Sequence, residues 1–154
     1  MSLLFLDANV PIYAAGRDHP LKTPCKEVLR LASRNPGAFF TDAEVLQEMM
    51  HRYLALKRWP EGRRVVLEFA AVMRGFVEAV TDTDVVRACE LADKYATAPG
   101  SGLAARDVLH VAVMLRKDST RIVSADRDFD ELADEGIERL DPAGIDHWRE
   151  QAAG

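Results

Sequence analysis

The sequence predicts a single α/β domain built on a mostly parallel, five-stranded sheet with helices on both faces. Short apolar runs alternate with longer segments whose apolar residues recur at helical spacing. Such alternation is typical of parallel sheets, because a chain that returns to start a parallel strand needs a crossover, usually a helix. The 154 residues suffice for one domain that buries about two-thirds of its unfolded surface. Since no internal repeat or linker interrupts the pattern, we expect residues 1–150 to form this one domain.

Five short runs rich in aliphatic, β-branched and aromatic residues are predicted to be the strands. Turn-forming residues separate them from neighbouring segments, as at Asn35-Pro36-Gly37 and Pro99-Gly100-Ser101-Gly102. In chain order, the predicted strands cover residues 3–6, 38–41, 76–80, 121–124 and 137–140.

The helices follow from the spacing of apolar residues and from start and stop signals. Pro60 is expected to end the helix before it, because the residue preceding a proline avoids the helical region. The run Thr81-Asp82-Thr83-Asp84 is typical of an N-terminal cap. The predicted helices cover residues 10–15, 23–33, 42–57, 61–74, 82–98, 103–116 and 129–134, with a brief helix at the end of the chain.

The composition is that of an ordinary globular protein, with 48% hydrophobic and 29% charged residues. No apolar run could cross a bilayer, and the short apolar start lacks a signal-peptide cleavage site, so we expect a cytoplasmic protein without membrane partners. Cys25 and Cys89 fall in helical patterns, which predicts two buried, reduced thiols. The formal net charge of −5 argues against a general nucleic-acid coat protein, but not against an enzyme that acts on nucleic acid.

One aspartate, Asp7, stands directly after the first predicted strand, with Asn9 two residues later. In open α/β sheets, functional groups gather beyond the carboxyl ends of the strands, so Asp7 is a candidate site residue. Alternatively, Asp7 or Asn9 could cap the helix that follows, with Pro11 in its first turn. Acids at equivalent places later in the chain favour the first interpretation.

Further acids lie at or near the later strand ends. They are Glu44, Glu48, Asp107, Asp126, Asp128 and Asp130. Glu48 could instead form an exposed ion pair with Arg52, four residues further along a helix. Asp107 lies beside a buried helical stripe, where a charge needs a partner, and Arg106 or Arg127 could supply it instead of a cation. One of the last three aspartates is expected to cap the helix that follows the fourth strand.

A set of converging carboxylates makes physical sense mainly as a cation site. Hard divalent cations such as Mg²⁺ bind oxygen ligands, whereas packed carboxylates without a cation repel one another and take up protons. The four histidines show no metal-binding spacing, and His110 is interpreted as a partly buried structural residue. No serine, cysteine or lysine has a convincing base partner for covalent catalysis.

Four segments resemble the PIN-domain family in their order, spacing and predicted secondary structure. They are Phe5-Leu6-Asp7-Ala8-Asn9, Thr41-Asp42-Ala43-Glu44-Val45-Leu46-Gln47-Glu48, Ala105-Arg106-Asp107-Val108-Leu109-His110-Val111-Ala112 and Ser124-Ala125-Asp126-Arg127-Asp128-Phe129-Asp130. The resemblance extends over nearly the whole chain, and the compact length is similar to that of the VapC toxins of prokaryotic toxin–antitoxin pairs.

The resemblance implies a five-stranded parallel sheet, a carboxylate pocket for Mg²⁺ or Mn²⁺, and endonucleolytic cleavage of RNA. The metal-binding and catalytic acids of the family fall on Asp7, Glu48, Asp107 and Asp126, and a further acid of the pocket falls on Asp128. Asn9 and Ser124 match polar positions that support these acids.

The sequence departs from the family pattern before the helical glutamate. Thr41 and Asp42 stand where a serine often precedes that helix, and Glu44 lies one turn before Glu48. Glu44 and Glu48 therefore both stay open as the helical acid of the site.

The resemblance also implies partners: an RNA substrate, a small cognate antitoxin and a second copy in a homodimer. An arginine or lysine of the antitoxin could enter the acidic pocket. Its apolar helix is expected near Ile12, Tyr13, Leu46, Met50 and Leu54. A basic rim that holds the phosphates of the substrate could comprise Arg17, Lys22, Lys26, Arg52, Lys57 and Arg58.

Three other functions compete with this hypothesis. A PIN-like fold could bind RNA or protein without cutting, or it could be a housekeeping nuclease that processes RNA or DNA. A phosphoacceptor receiver domain also carries acids at strand ends, but it needs an acid pair after the first strand and an aspartate ending the third. Here a single Asp7 follows the first strand and Thr81 follows the third, which argues against a receiver domain.

Overall fold

A computed structural model describes residues 3–153 and contains one five-stranded sheet in the order β3-β2-β1-β4-β5. The strands are β1 (Leu4–Leu6), β2 (Phe39–Asp42), β3 (Val77–Glu78), β4 (Arg121–Val123) and β5 (Glu138–Leu140). All four strand pairings are parallel, and Leu4 of the central strand is in register with Phe39 on one side and Arg121 on the other. The predicted parallel sheet is confirmed.

The helices connect the strands as expected for a parallel sheet. They are α1 (Asn9–Ala15), α2 (Lys22–Arg34), α3 (Ala43–Ala55), α4 (Trp59–Val72), α5 (Asp82–Leu91), α6 (Ala105–Arg116), α7 (Ile145–Trp148) and α8 (Glu150–Ala153), with 3₁₀ helices at Arg127–Glu135 and Pro142–Gly144. The chain moves in one direction along the sheet to β2 and β3 and in the other direction to β4 and β5. Because crossovers between parallel strands are as a rule right-handed, this strand order predicts the two groups of helices on opposite faces.

Three of the predicted helix boundaries differ from those in the structure. Pro60 does not end a helix but lies in the first turn of α4, where the missing N–H of a proline has no intrahelical partner to lose. Helix α3 already ends at Ala55, and Lys57 then turns the chain with a φ of 59°. Helix α5 ends at Leu91 and continues only as a π-helical turn over Ala92–Ala96.

The capping predictions have mixed outcomes. Thr81 and Asp84 form the predicted capping box, because each side chain accepts a hydrogen bond from the backbone N–H of the other. Asp126 caps the 3₁₀ helix after β4, as predicted for one of the three aspartates. The capping alternative for Asp7 and Asn9 is wrong, because α1 begins after Ala8 without a side-chain cap.

The two cysteines differ in exposure. Cys25 is buried in α2, as predicted. Cys89 is exposed on α5, so the prediction of a second buried thiol is wrong. Among residues 3–153, no helix is long and apolar enough to cross a membrane.

The centre of the core is strand β1. Its three residues are fully buried, and the ring of Phe5 packs edge-on against Phe40 of β2 at 5.3 Å. Asp7 is the next residue after β1 and is therefore attached to the centre of the core.

Candidate metal-binding site

Polar residues meet where three neighbouring strands end. Asp7 follows β1, Asp42 ends β2, and Ser124 follows β4. The strand order reverses between β1 and β4, and the crevice at such a switch point is where open α/β sheets bind ligands.

Asp7 is held by three hydrogen bonds. Its Oδ1 accepts from the backbone N–H of Ala8 at 2.8 Å, and its Oδ2 accepts from the Ser124 hydroxyl at 2.7 Å and from the Asn9 amide at 3.1 Å. Burial raises the pKa of this carboxyl group although His110 and the Ser124 hydrogen bond act in the opposite direction. The sequence had placed Asn9 and Ser124 as supports of the acids, and both contact Asp7.

Asp107 lies in the first turn of α6 and is also buried. Its Oδ2 accepts a hydrogen bond from the backbone N–H of Ala104 at 2.8 Å. Burial raises its pKa to about 6 against the effect of that hydrogen bond, and the charges of Asp7 and Asp126 raise it further. The ion pair of Asp107 with Arg106 or Arg127 that the sequence left open does not form among the described residues.

Glu48, and not Glu44, reaches this group of acids. The Oε1 atom of Glu48 lies 3.0 Å from Nε of Arg106, and its Oε2 lies 3.5 Å from Nε2 of His110. One ligand atom each from Asp7, Glu48 and His110 lie within 4.8 Å of one another. Within the described chain Glu48 makes no ion pair with Arg52, so that alternative is wrong.

His110 lies against the acids of the site, and the predicted partial burial of its side chain is wrong. The side chain is fully buried, with Nδ1 2.8 Å from Oδ2 of Asp42 and Nε2 4.0 Å from Oδ1 of Asp7. Burial alone would lower its pKa, but the hydrogen bonds to Asp42 and Glu48 and the nearby charges raise it to about 10.

Sequence reasoning also missed Asp42 and Arg106 as neighbours of the site. Asp42 was noted only as a departure from the family pattern, and Arg106 only as a partner for Asp107. For His110, a signal was available in the sequence. Asp107 and His110 are three residues apart and therefore lie on one face of α6.

Asp126 and Asp128 lie on the 3₁₀ helix beside the buried acids. The backbone N–H of Asp126 donates to the Ser124 hydroxyl at 3.0 Å, and Oδ1 of Asp126 accepts from the backbone N–H of Asp128 at 2.9 Å. Burial and the charge of Asp126 raise the pKa of Asp128. Both aspartates are half-buried, and the charge of Asp126 is close enough to Asp107 to raise the pKa of Asp107.

The predicted antitoxin-binding surface lies outside this cluster. Met50 and Leu54 are exposed, whereas Ile12, Tyr13 and Leu46 are only partly buried against the core. A groove of about 330 Å³ runs instead between α1, α2 and α4. Its apolar lining includes Pro11, Ala14, Leu29, Val65, Phe69 and Val72, none of them in the predicted set.

Comparison with known proteins places the fold and this site in one family. The PIN domain family model matches residues 4–135, which include every acid of the site. The chain belongs to the PIN-domain family. Ribonuclease VapC13 of Mycobacterium tuberculosis is 39% identical over 141 residues, covering 90% of this chain and 99% of that protein.

Solved structures agree on the fold. VapC20 of Mycobacterium tuberculosis, described as a sarcin–ricin loop cleaving toxin, has a TM-score of 0.64 at 20% identity, covering 89% of this PIN domain chain and 98% of that chain. VapBC2 of Rickettsia felis, bound to a DNA fragment from its promoter, has a TM-score of 0.70 at 14% identity, covering 90% and 98%.

Proposed function

We propose that this PIN domain is a metal-dependent endoribonuclease that hydrolyses RNA phosphodiester bonds. The observation that carries the proposal is the convergence of Asp7 after β1, Glu48 of α3 and Asp107 of α6 at the switch point of the sheet. Relatives that align with most of this chain are named ribonucleases. Residues 1–150 would form the nuclease domain.

The donor set fits a divalent cation. Asp7, Glu48, Asp107 and Asp126 would hold it, directly or through water, and Asp128 would line the site. Burial raises the pKa values of Asp7 and Asp107, and a bound cation would favour the ionised form of both carboxyl groups. Mg²⁺ is the ion we propose, with Mn²⁺ as the alternative.

The residues around the site would have distinct roles in the reaction. When bound, the metal would lower the pKa of a coordinated water and offset charge on the phosphate. Ser124 and Asn9 orient the Asp7 carboxylate, and the Ala104 N–H orients Asp107. The acids position the reacting groups and need not accept the proton themselves.

The first experiment replaces a buried acid without changing its shape. Asp7→Asn and Asp107→Asn should each abolish Mg²⁺-dependent cleavage of structured RNA while circular dichroism and thermal unfolding show an intact fold. Asp146→Asn, an exposed aspartate on α7, is the control. Full activity in either site variant, in a preparation free of contaminating nuclease, would refute the mechanism.

RNA must approach an acidic protein, so positive charge has to be local. The candidates include Arg52, exposed one turn beyond Glu48 on α3. Arg52→Glu should weaken RNA binding and lower the slope of log K against log salt by about 1. Arg74→Glu, exposed after α4, is the control, and equal effects of the two changes would remove Arg52 from the substrate path.

We further propose that the nuclease is the toxin of a type II toxin–antitoxin pair in the cytoplasm, acting as a homodimer. Structural relatives include VapBC toxin–antitoxin complexes. A small antitoxin would place a basic side chain in the acidic site and an apolar helix in the groove between α1, α2 and α4.

Growth assays test the biological part separately. Expression of the chain alone should slow growth, Asp7→Asn should not, and a small adjacent gene should restore growth when co-expressed. If the purified protein cuts RNA but its expression is harmless, a housekeeping nuclease replaces the toxin. If the protein binds RNA without cutting, a silent binding module replaces both.

A further inference from the structure

Asp42 uses its two carboxylate oxygens for two different purposes. Its Oδ1 accepts a hydrogen bond from the backbone N–H of Val45 at 2.9 Å and so caps helix α3. Its Oδ2 lies 2.8 Å from Nδ1 of His110 on α6. A serine would cap the helix equally well with one oxygen, so capping alone does not account for the second contact.

The ring of His110 has little freedom to rotate. Nδ1 is committed to Asp42, the ring packs against Phe5 at a centroid distance of 5.3 Å, and the whole side chain is buried. In this orientation Nε2 is turned toward Oε2 of Glu48 at 3.5 Å and Oδ1 of Asp7 at 4.0 Å.

Glu48 needs such a restraint more than the aspartates do. It has a longer side chain on the surface of α3, and 23% of that side chain is exposed. Its other oxygen contacts Arg106, but half of the Arg106 side chain is exposed and ion pairs of this kind hold geometry weakly. The contact with His110, whose own side chain is fully buried, is therefore the one that can fix the Glu48 carboxylate.

We infer that Asp42 and His110 are positioning residues that hold the Glu48 carboxylate toward Asp7 through a buried chain of contacts from β2 to α6 to α3. The inference rests on the proposed nuclease function, because the position of Glu48 matters for holding a metal. The inference also gives a purpose to Asp42, which stands where a serine is common in the family.

The test compares two replacements of Asp42. Asp42→Asn keeps an oxygen for the cap and offers an amide N–H to Nδ1, so the ring stays oriented with a proton on Nε2. Asp42→Ser keeps the cap but releases the ring. Mn²⁺ affinity by calorimetry and kcat for RNA cleavage should fall 10- to 100-fold in Asp42→Ser, with KM little changed, and by no more than about threefold in Asp42→Asn.

Controls separate positioning from loss of fold. His147→Asn, an exposed histidine on α7, should leave both readouts unchanged. If Asp42→Ser does not fold, His110→Gln removes the same restraint from the other side and should give the same loss. Wild-type behaviour of Asp42→Ser, or an equal loss in Asp42→Asn, would overturn the inference.

Two further measurements complete the test. Electron spin echo spectra of the Mn²⁺ complex should lack ¹⁴N coupling, since coupling would make His110 a ligand and overturn its positioning role. Crystal structures of the metal-free variants should show Glu48 in place in Asp42→Asn and turned away in Asp42→Ser. These structures decide the inference even if the wild type binds no metal, a result that would refute only the proposed function.

Discussion

The Ser124 hydroxyl makes hydrogen bonds to three other residues of the site. Its hydroxyl donates to Asp7 at 2.7 Å and accepts from the Asn9 amide at 2.9 Å and from the Asp126 backbone at 3.0 Å. Ser124 and Asp7 are buried, whereas Asn9 and Asp126 are half-buried. The position of Asp7 relative to Asp126 thus depends on one hydroxyl group.

Replacing this hydroxyl should affect both stability and metal binding. Ser124→Ala removes one of the three hydrogen bonds that the buried Asp7 carboxylate accepts, which should lower the free energy of unfolding by about 1–3 kcal/mol. Metal affinity should fall by about 10- to 100-fold, as is typical when groups that orient ligands are lost. Denaturant unfolding and calorimetry with Mn²⁺ measure the two effects.

Ser119 provides the matched control. It is also fully buried, and its hydroxyl donates to the Leu3 carbonyl at 2.8 Å, just before β4 begins and so at the end of the sheet away from the site. Ser119→Ala should lower stability but leave Mn²⁺ affinity unchanged. An equal loss of affinity in both variants would show that Ser124 acts only through general stability.

At the scale of elements, the sequence predicted which residues follow the strands but not which helices meet above them. Asp7, Asp107 and Asp126 could be predicted because strand ends and helix starts are local features. The contact between Asp42 and His110 joins residues 68 positions apart, and only the packing of α3 against α6 creates it. Pro60 misled the boundary prediction because the rule for prolines does not distinguish the end of one helix from the start of the next.

The loop before α6 approaches the 3₁₀ helix closely at Gly102. Its backbone N–H donates to Glu131 at 3.0 Å, and a Cβ at this position would overlap the carboxylate of Asp128. Gly102→Ala should therefore displace Asp128 rather than unfold the protein, because the overlapping atoms are the end of a movable side chain. RNA cleavage should fall several-fold with little change in melting temperature.

Gly144 supplies the control for this prediction. A Cβ there would meet only the His147 ring, at an ordinary distance of 3.8 Å. Gly144→Ala should leave cleavage unchanged. Unchanged cleavage in Gly102→Ala, with a crystal structure showing Asp128 displaced, would exclude Asp128 from the proposed catalytic set.

At the scale of the whole molecule, the site makes the metal-free protein less stable as pH rises. The pKa of Asp107 is raised from 3.8 to about 6, so the folded state holds this proton more tightly than the unfolded state does. The resulting stabilisation is present at low pH and is lost between about pH 3.8 and 6. The pKa of His110 is raised from 6.5 to about 10, so its stabilisation is present below pH 6.5 and is lost as pH rises to about 10.

A bound cation should reverse this dependence, because it replaces the protons that the site would otherwise retain. We expect the increase in melting temperature caused by Mg²⁺ or Mn²⁺ to be small at pH 5 and larger at pH 8, where Asp107 is ionised. Without metal at pH 8, Asp107→Asn should have a higher melting temperature than the wild type. This difference should disappear as pH falls from 6 toward 4. Added metal should raise the melting temperature of the variant less than that of the wild type. Calorimetric scans at each pH, with and without a chelator, measure all three effects. A metal effect that is the same at both pH values would mean that the cation binds elsewhere.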